Sequence, residues 1–187
     1  MEKQIILMRH GKPILPRSPW MSPTEMKQWI ELYDRSQVED KDIPIESVMA
    51  AQSAGLIASS TASRALSSVQ ALGHVAAMED AVFSEAGLPF ALWRGPNLPP
   101  QVWAALFRLL WLFGYARGAD SLEITKERAR IAAGQLISMA ASGPVLLVGH
   151  GIMNRLIGKE LQAAGWIART KQNSRHWGVG VYGLPGH

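Results

Sequence analysis

The stretch Gln4-Ile5-Ile6-Leu7-Met8-Arg9-His10-Gly11 is an apolar run that ends in an arginine, a histidine and a glycine. Far along the chain, a second apolar run from Val145 to Val148 continues directly into Gly149-His150-Gly151. Apolar runs of this length that end at glycine are typical of buried strands in a parallel sheet. Open sheets of this kind bind ligands at the carboxyl ends of their strands. We therefore expect both imidazoles to face one crevice.

The composition predicts one compact domain over residues 1–187, because 48% of the side chains are apolar and a chain of this length can bury a sizeable core. The absence of cysteine excludes disulfides, thiolate catalysis and cysteine-ligated metals. The first residues do not resemble a signal peptide, so we expect a cytoplasmic protein.

Charge and hydropathy favour a small anionic ligand over a nucleic acid or a membrane. The formal net charge is +4, yet the chain has no run of lysines or arginines and only 7% aromatic residues. The longest apolar stretch, Val102 to Ala116, is interrupted by Arg108 and Gly114. It is shorter than the roughly 20 residues that a membrane span requires.

Prolines, glycines and capping residues indicate where helices and strands begin and end. Four prolines after Gly11 predict a loop, and Ser22-Pro23-Thr24-Glu25 predicts a helix that begins near residue 23. A strand is predicted over Leu56-Ser59, followed by a helix that carries Arg64 in its first turn and ends near Gly73. Further along, we expect an irregular connection over Phe83–Pro100 and helices that begin near Gln101, Leu122 and Ile152.

Four motifs occur in an order that resembles the histidine phosphatase superfamily, which has the phosphoglycerate mutase-like fold. They are Arg9-His10-Gly11, the segment Ser59-Ser60-Thr61-Ala62-Ser63-Arg64-Ala65, a mid-chain Glu85, and Val148-Gly149-His150-Gly151. The resemblance covers residues 4 to about 160. It implies an α/β three-layer sandwich, with a mostly parallel central sheet flanked by helices, and a phosphohistidine intermediate.

The chemistry of these residues agrees with the resemblance. Arg9 and Arg64 suit phosphate binding, because guanidinium groups make paired, charge-assisted hydrogen bonds and keep their proton. A neutral imidazole whose second nitrogen is held by an acceptor can attack phosphorus, so His10 is the predicted nucleophile. We expect His150 to be a largely cationic donor to the phosphoryl oxygens, assisted by the N–H groups of a helix that begins near Gly151.

The leaving alkoxide requires a proton, and Glu85 is the predicted general acid, with Glu79 and Asp80 as nearby alternatives. No cofactor is expected. Two histidines do not make a recognisable metal site, so a metal hydrolase is a weaker interpretation.

Three features depart from the pattern of the superfamily. Many relatives continue Arg-His-Gly with Glu or Gln and then Thr, whereas this chain has Lys12-Pro13, and it has no asparagine before Asn97.

Other polar residues are left out of the predicted core site. Asn154 and Arg155 lie about one turn into the helix after His150, and either side chain can face the crevice. His176, although at the start of a predicted last strand, is assigned to structural packing, and His74 and His187 are assigned to positions outside the site.

These observations predict a phosphatase that acts on a phosphorylated small molecule. Phosphoglycerate mutases usually have longer chains that exclude water, and the Glu85 candidate favours phosphomonoesters. The alternatives are a phosphohistidine or phosphoprotein phosphatase, a mutase-type transferase, and a non-catalytic protein that binds a phosphorylated ligand. Lys12–Trp20 and Phe83–Pro100 are expected to recognise the leaving group. The apolar helix after Pro100 is expected to cover the pocket or to form a homodimer.

Overall fold

The computed structural model describes residues 3–16 and 19–185, and within these ranges it contains a six-stranded sheet. The strands are β1 (Gln4–Arg9), β2 (Leu56–Ser59), β3 (Met78–Glu79), β4 (Val145–Gly149), β5 (Ile167–Ala168) and β6 (Val179–Gly183). Their order across the sheet is β3-β2-β4-β1-β6-β5. The first four strands run parallel, β6 pairs antiparallel with β1, and β5 pairs antiparallel with β6. The predicted, mostly parallel sheet is confirmed.

Helices flank this sheet and complete the predicted three layers. They are α1 (Met26–Arg35), α2 (Ile45–Ser53), α3 (Ser63–Ala71), α4 (Pro100–Leu112), α5 (Leu122–Met139) and α6 (Gly151–Ala163). Two short 3-10 turns occupy Ala81–Phe83 and Ala140–Ser142. No helix within the described ranges combines the length and the apolar character needed to cross a bilayer.

The central strands are buried on both faces, which explains why their sequences are continuously apolar rather than alternating. In β1, Ile5 and Leu7 pack in a core with residues of α5 and α6, whereas Ile6 and Met8 pack on the opposite face with residues of α2 and α3. The sheet therefore holds the carboxyl ends of β1, β2 and β4 side by side between two packed layers.

A third apolar cluster lies at the carboxyl ends of these strands. The two segments that form this cluster, residues 19–35 and 84–115, are together called the roof. Its core contains Met21, Met26, Ala91, Trp103 and Phe107, and the indole N–H of Trp103 donates to the carbonyl oxygen of Met21 at 2.8 Å. The roof thus packs α1 against α4 independently of the two cores of the sheet.

The boundaries of the helices largely follow their capping residues. Glu25 does reach back to Ser22 as the capping pattern predicts, at 2.7 Å from the Ser22 nitrogen, but residues 23–25 form a turn and α1 begins only at Met26. Helix α2 and the two-residue strands β3 and β5 were not predicted, because their segments lack a strong apolar period. His187 lies outside the described residues.

Candidate active site

His10 lies at the carboxyl end of β1 with one ring nitrogen held by the backbone. Its Nδ1 is 2.7 Å from the carbonyl oxygen of Gly11. Because a carbonyl only accepts, Nδ1 carries the proton in this contact and Nε2 of the neutral ring keeps its lone pair. Gly11 is required here, because a side-chain carbon at this position would lie 2.4 Å from the Trp177 ring. The local chain therefore presents the nitrogen that a nucleophile needs.

His150 follows β4 and lies beside His10. The two ring centroids are 5.1 Å apart, with an edge-on arrangement of the rings. The Nε2 atom of His150 is 2.7 Å from Oγ of Ser60, the residue that follows β2. Asn154 accepts from the backbone nitrogen of His150 and donates to the carbonyl oxygen of Met8. Three neighbouring strand ends therefore fix this pair of imidazoles.

Both imidazoles are held in the neutral form. Burial, followed by the nearby Arg64 guanidinium, lowers the pKa of His10 to about 3, although its bond to Gly11 acts in the opposite direction. Burial and Arg64 likewise hold the pKa of His150 well below the ordinary histidine value. In the protein without substrate, His150 therefore differs from the largely cationic donor that is expected when a phosphoryl group is bound. A bound phosphoryl dianion would shift this balance towards the protonated ring.

Arg9 and Arg64 lie next to the two histidines. The Nε atom of each is buried and has no hydrogen-bond partner among the described residues. Arg9 also donates through Nη1 to the carbonyl oxygen of Ser174. Buried donors without an acceptor are uncommon in folded proteins, and a phosphate oxygen would satisfy them. The site therefore holds unused, cationic donors beside the His10 ring.

Two residues near the end of helix α1 contact the Arg64 side chain. Nη1 of Arg64 lies 3.2 Å from Oδ1 of Asp34, and the Arg64 guanidinium carbon lies 4.8 Å from the centre of the Tyr33 ring. Asp34 gave no local sequence signal, because it reaches the site only through the packing of α1 against α3. It is a second carboxylate at the site that sequence reasoning missed.

Glu85 reaches the amino-terminal end of α6. The backbone N–H groups of Ile152 and Met153 donate to its two carboxylate oxygens at 3.2 and 3.0 Å. The N–H groups at the start of this helix were expected to bind phosphate. Two of them, those of Ile152 and Met153, instead donate to Glu85. Gly151 itself lies beside Arg9, whose Nε is 3.6 Å from the position that a Gly151 side-chain carbon would occupy.

Two half-buried arginines hold the segment around Glu85. Arg108 donates to the carbonyl oxygens of Ala86 and Gly87, and Arg128 donates to that of Glu85 itself. The alternative Asp80 instead caps its own 3-10 turn through the Val82 nitrogen. Glu79 is exposed on β3, and neither residue lines the cleft described below. Glu85 is thus the one of these three carboxylates that lines the cleft.

His176 is placed against the site, and its assignment to structural packing alone is not supported. Its ring centroid is 5.6 Å from that of His10, and its Nε2 atom is buried without a partner among the described residues. Burial, followed by Arg9 and Lys12, lowers its pKa to about 4. The only sequence signal was its position just before the last strand. Arg155, in contrast, is exposed, and Asn154 supports the backbone rather than facing the cleft.

A cleft of about 550 Å³ extends from Arg9, Arg64 and Glu85 to the underside of the roof. Its walls come from α1, from residues 84–88 and from α4. Among the described part of Lys12–Trp20, no residue lines it, so the expectation that this loop recognises the leaving group is not supported; the Phe83–Pro100 segment does contribute. No three histidine, aspartate or glutamate side chains of the described ranges are arranged to hold a metal ion.

No protein-family model and no curated protein sequence matches the chain. Solved structures do match it. Phosphoglycerate mutase from Bacillus anthracis is 18% identical with a TM-score of 0.58, over 97% of this chain and 89% of the mutase. The chain has the phosphoglycerate mutase-like fold. The fold implied by the resemblance to the histidine phosphatase superfamily is therefore confirmed.

Two phosphatases share this fold. A mycobacterial glucosyl-3-phosphoglycerate phosphatase is 20% identical, with a TM-score of 0.54 over 86% of this chain and 80% of that protein. An ecdysone phosphate phosphatase from Bombix mori, solved with tungstate, is 11% identical, with a TM-score of 0.57 over 96% of this chain and 88% of that protein. At these identities the likeness concerns the fold, and the activity must be argued from the site.

Proposed function

We propose that this protein is a phosphatase that hydrolyses a small phosphomonoester through a phosphohistidine on His10. The observation that carries the proposal is the state of the His10 ring: Nδ1 is bonded to the Gly11 carbonyl, and the ring lies beside two arginines that have unpartnered donors. A neutral imidazole with a free lone pair next to cationic donors is the arrangement that attack on a phosphoryl group requires.

The reaction proceeds in two steps. In the first, Nε2 of His10 forms a bond to phosphorus, the P–O bond to the alcohol breaks, and Glu85 gives its proton to the departing oxygen. In the second, Glu85 takes a proton from water while the water oxygen displaces Nε2 from phosphorus, which releases inorganic phosphate. Arg9, Arg64 and His150 stabilise the charge on the non-bridging oxygens in both steps.

Glu85 favours phosphomonoesters as substrates over phosphohistidine. The leaving group of a phosphoramidate is a nitrogen and not a basic alkoxide oxygen, so its departure depends less on a strong general acid. Glu85 lines the cleft, with its carboxyl oxygens held by the backbone N–H groups of Ala86, Ile152 and Met153, and this position supports its assignment as the proton donor to an alkoxide. Two structural neighbours are named as phosphatases of phosphate esters, which agrees with this choice.

The proposal is tested by assaying the purified protein against a panel of phosphorylated metabolites, phosphopeptides and an aryl phosphate, with release of inorganic phosphate as the readout. We expect turnover of phosphomonoesters and at least a thousandfold loss in His10→Ala. Turnover that survives in His10→Ala rejects the mechanism. Tight binding of phosphorylated ligands without turnover by the wild-type protein would instead support a binding protein.

We also propose that the exposed side of α4 forms a homodimer in the cytoplasm. The six large apolar residues predicted for this segment separate into two groups: Trp103, Phe107 and Trp111 are buried, whereas Leu106, Leu110 and Phe113 are exposed. The exposed group continues over Val102, Leu109 and Leu112, and such a patch is a common site of association. Light scattering at micromolar concentration should give a dimer that Leu109→Glu dissociates; a wild-type monomer contradicts the proposal.

A further inference from the structure

The cleft beyond the arginines has walls that are mostly apolar. Helix α1 contributes Trp29, Ile30 and Tyr33, and the opposite side is formed by Leu88 and by Ala104 of α4. The rings of Trp29 and Tyr33 stack with their centroids 5.4 Å apart. The Tyr33 ring also lies under the Arg64 guanidinium, so this aromatic wall begins directly at the phosphate end.

The charged groups of the same cleft are already engaged. The Asp34 carboxylate pairs with Arg64, and both oxygens of Glu85 accept backbone N–H bonds. Arg108 donates to two backbone carbonyls and lies 4.9 Å from the centre of the Trp111 ring. The charged groups therefore concentrate around the phosphate or face the backbone. Of the other polar lining residues, Thr61 and Ser84 are close in the chain to Arg64 and Glu85, and the Gln101 amide of α4 and the Tyr33 hydroxyl of α1 are the groups that remain along the apolar walls to bind a hydroxyl.

The separation of charged groups at one end from apolar walls at the other favours some classes of alcohol over others as the leaving group of the substrate. A sugar or polyol phosphate would bring several hydroxyl groups against Trp29, Ile30 and Leu88, where most of them would lose water without gaining partners, because Gln101 can bind only one or two of them. An apolar alcohol would instead cover these walls and displace water from them. The cleft of about 550 Å³ lies within the size range of sites that enclose a small organic ligand.

We infer that the substrate is a monophosphate ester of a largely apolar alcohol, alkyl or aromatic, whose carbon skeleton lies between Trp29 of α1 and Ala104 of α4. This inference rests on the proposed function for its chemistry, because the phosphate end must carry out the reaction. The recognition of the carbon skeleton is a separate property of the roof and is measurable without turnover.

Binding of n-alkylphosphonates tests recognition alone, because their P–C bond is not hydrolysed. We expect the Kd, measured by calorimetry from ethyl- to hexylphosphonate, to fall roughly tenfold for every two methylenes added. A parallel rise of kcat/KM is expected for the matching alkyl phosphates, whose leaving groups have nearly equal basicity. Glycerol phosphate should be a far poorer substrate than hexyl phosphate.

Trp29→Ala should flatten the dependence on chain length and leave the affinity for ethylphosphonate almost unchanged. Leu32→Ala is the matched control, because Leu32 lies on α1 but is 55% exposed and does not line the cleft. If Trp29→Ala does not fold, Ile30→Thr removes apolar surface from the same wall with a smaller change of volume.

The outcomes separate the two claims. Affinity that does not change with chain length, or glycerol phosphate turned over as well as hexyl phosphate, overturns the inference and leaves the phosphatase proposal intact. A steep dependence of phosphonate affinity on chain length without turnover of any ester supports recognition of an apolar carbon skeleton by the roof, but rejects the phosphatase and with it the assignment of such an ester as the substrate.

Discussion

The two ends of the cleft are built in different ways. At the phosphate end, Arg9 is the last residue of β1, and His10, Ser60 and His150 directly follow β1, β2 and β4, which are hydrogen-bonded to one another. At the leaving-group end, α1 and α4 come from distant parts of the chain and meet only through the core of the roof. The first end is fixed by the sheet, whereas the second depends on side-chain packing. Changes at the phosphate end should therefore affect all substrates alike, and changes at the leaving-group end should depend on the substrate.

Glu85 lies where the two ends meet, and its replacement gives the largest substrate-dependent effect. Protonation of the departing oxygen matters most for a basic alkoxide and little for a nitrophenolate. Glu85→Gln should slow an alkyl phosphate about a hundredfold and an activated aryl phosphate only slightly. Measured kcat/KM values that fall equally for both esters, or for neither, would show that Glu85 is not the acid.

Acid pH should destabilise the phosphate end through its neutral histidines. The pKa of His10 is about 3 in the folded protein, against 6.5 for an unperturbed histidine, so the unfolded chain binds the additional proton. Stability from this group is therefore complete above pH 6.5 and is lost as the pH falls towards 3. Between pH 7 and pH 5 the loss is about 2 kcal/mol for His10 alone.

Urea unfolding at pH 7 and pH 5 measures this loss. His10→Gln should reduce the difference between the two pH values by about 2 kcal/mol, with His74→Gln, outside the cleft, as the matched control. An unchanged difference in His10→Gln would mean that the pKa of His10 is the same in the folded and the unfolded protein, which contradicts a neutral, buried His10 ring.

Arg64→Lys should give a smaller loss that is uniform across substrates. Lysine keeps the charge but lacks the planar group that binds two phosphoryl oxygens, so kcat/KM should fall about tenfold for alkyl and aryl esters alike. Arg64→Ala should lose more, and Arg155→Lys, on the exposed side of α6, serves as the control. A loss confined to one class of ester would assign Arg64 to the leaving group rather than to the phosphate.

The same contrast explains what the sequence could predict. Strands β1, β2 and β4 are apolar runs that end at small or polar residues, so their order and their carboxyl-end residues follow from short local patterns. Because parallel strand ends share one edge, His10, Arg64 and His150 were predicted to converge. The four ordered motifs supplied Glu85, whose contact with α6 has no local signal of its own.

The contacts that Asp34, Ser60 and His176 make in the site could not be predicted from local sequence patterns. Asp34 is the penultimate residue of α1 and reaches Arg64 only because the roof packs over α3. His176 precedes a strand of the opposite direction, for which no motif indicates the approach to His10. The lowered pKa of His150 in the protein without substrate could not be predicted either, because burial and the surrounding arginines are properties of the folded protein.

The most direct test of the account is to trap the covalent intermediate. Brief exposure to a labelled phosphodonor, followed by rapid quenching and mapping of the label, should give a phosphoryl group on His10 that is stable to base and labile to acid, as a phosphoramidate is. His10→Ala should carry no label, and Arg64→Lys should acquire it more slowly. A wild-type protein that hydrolyses substrate while the label maps to Ser59, to Ser60 or to no residue would contradict the central claim.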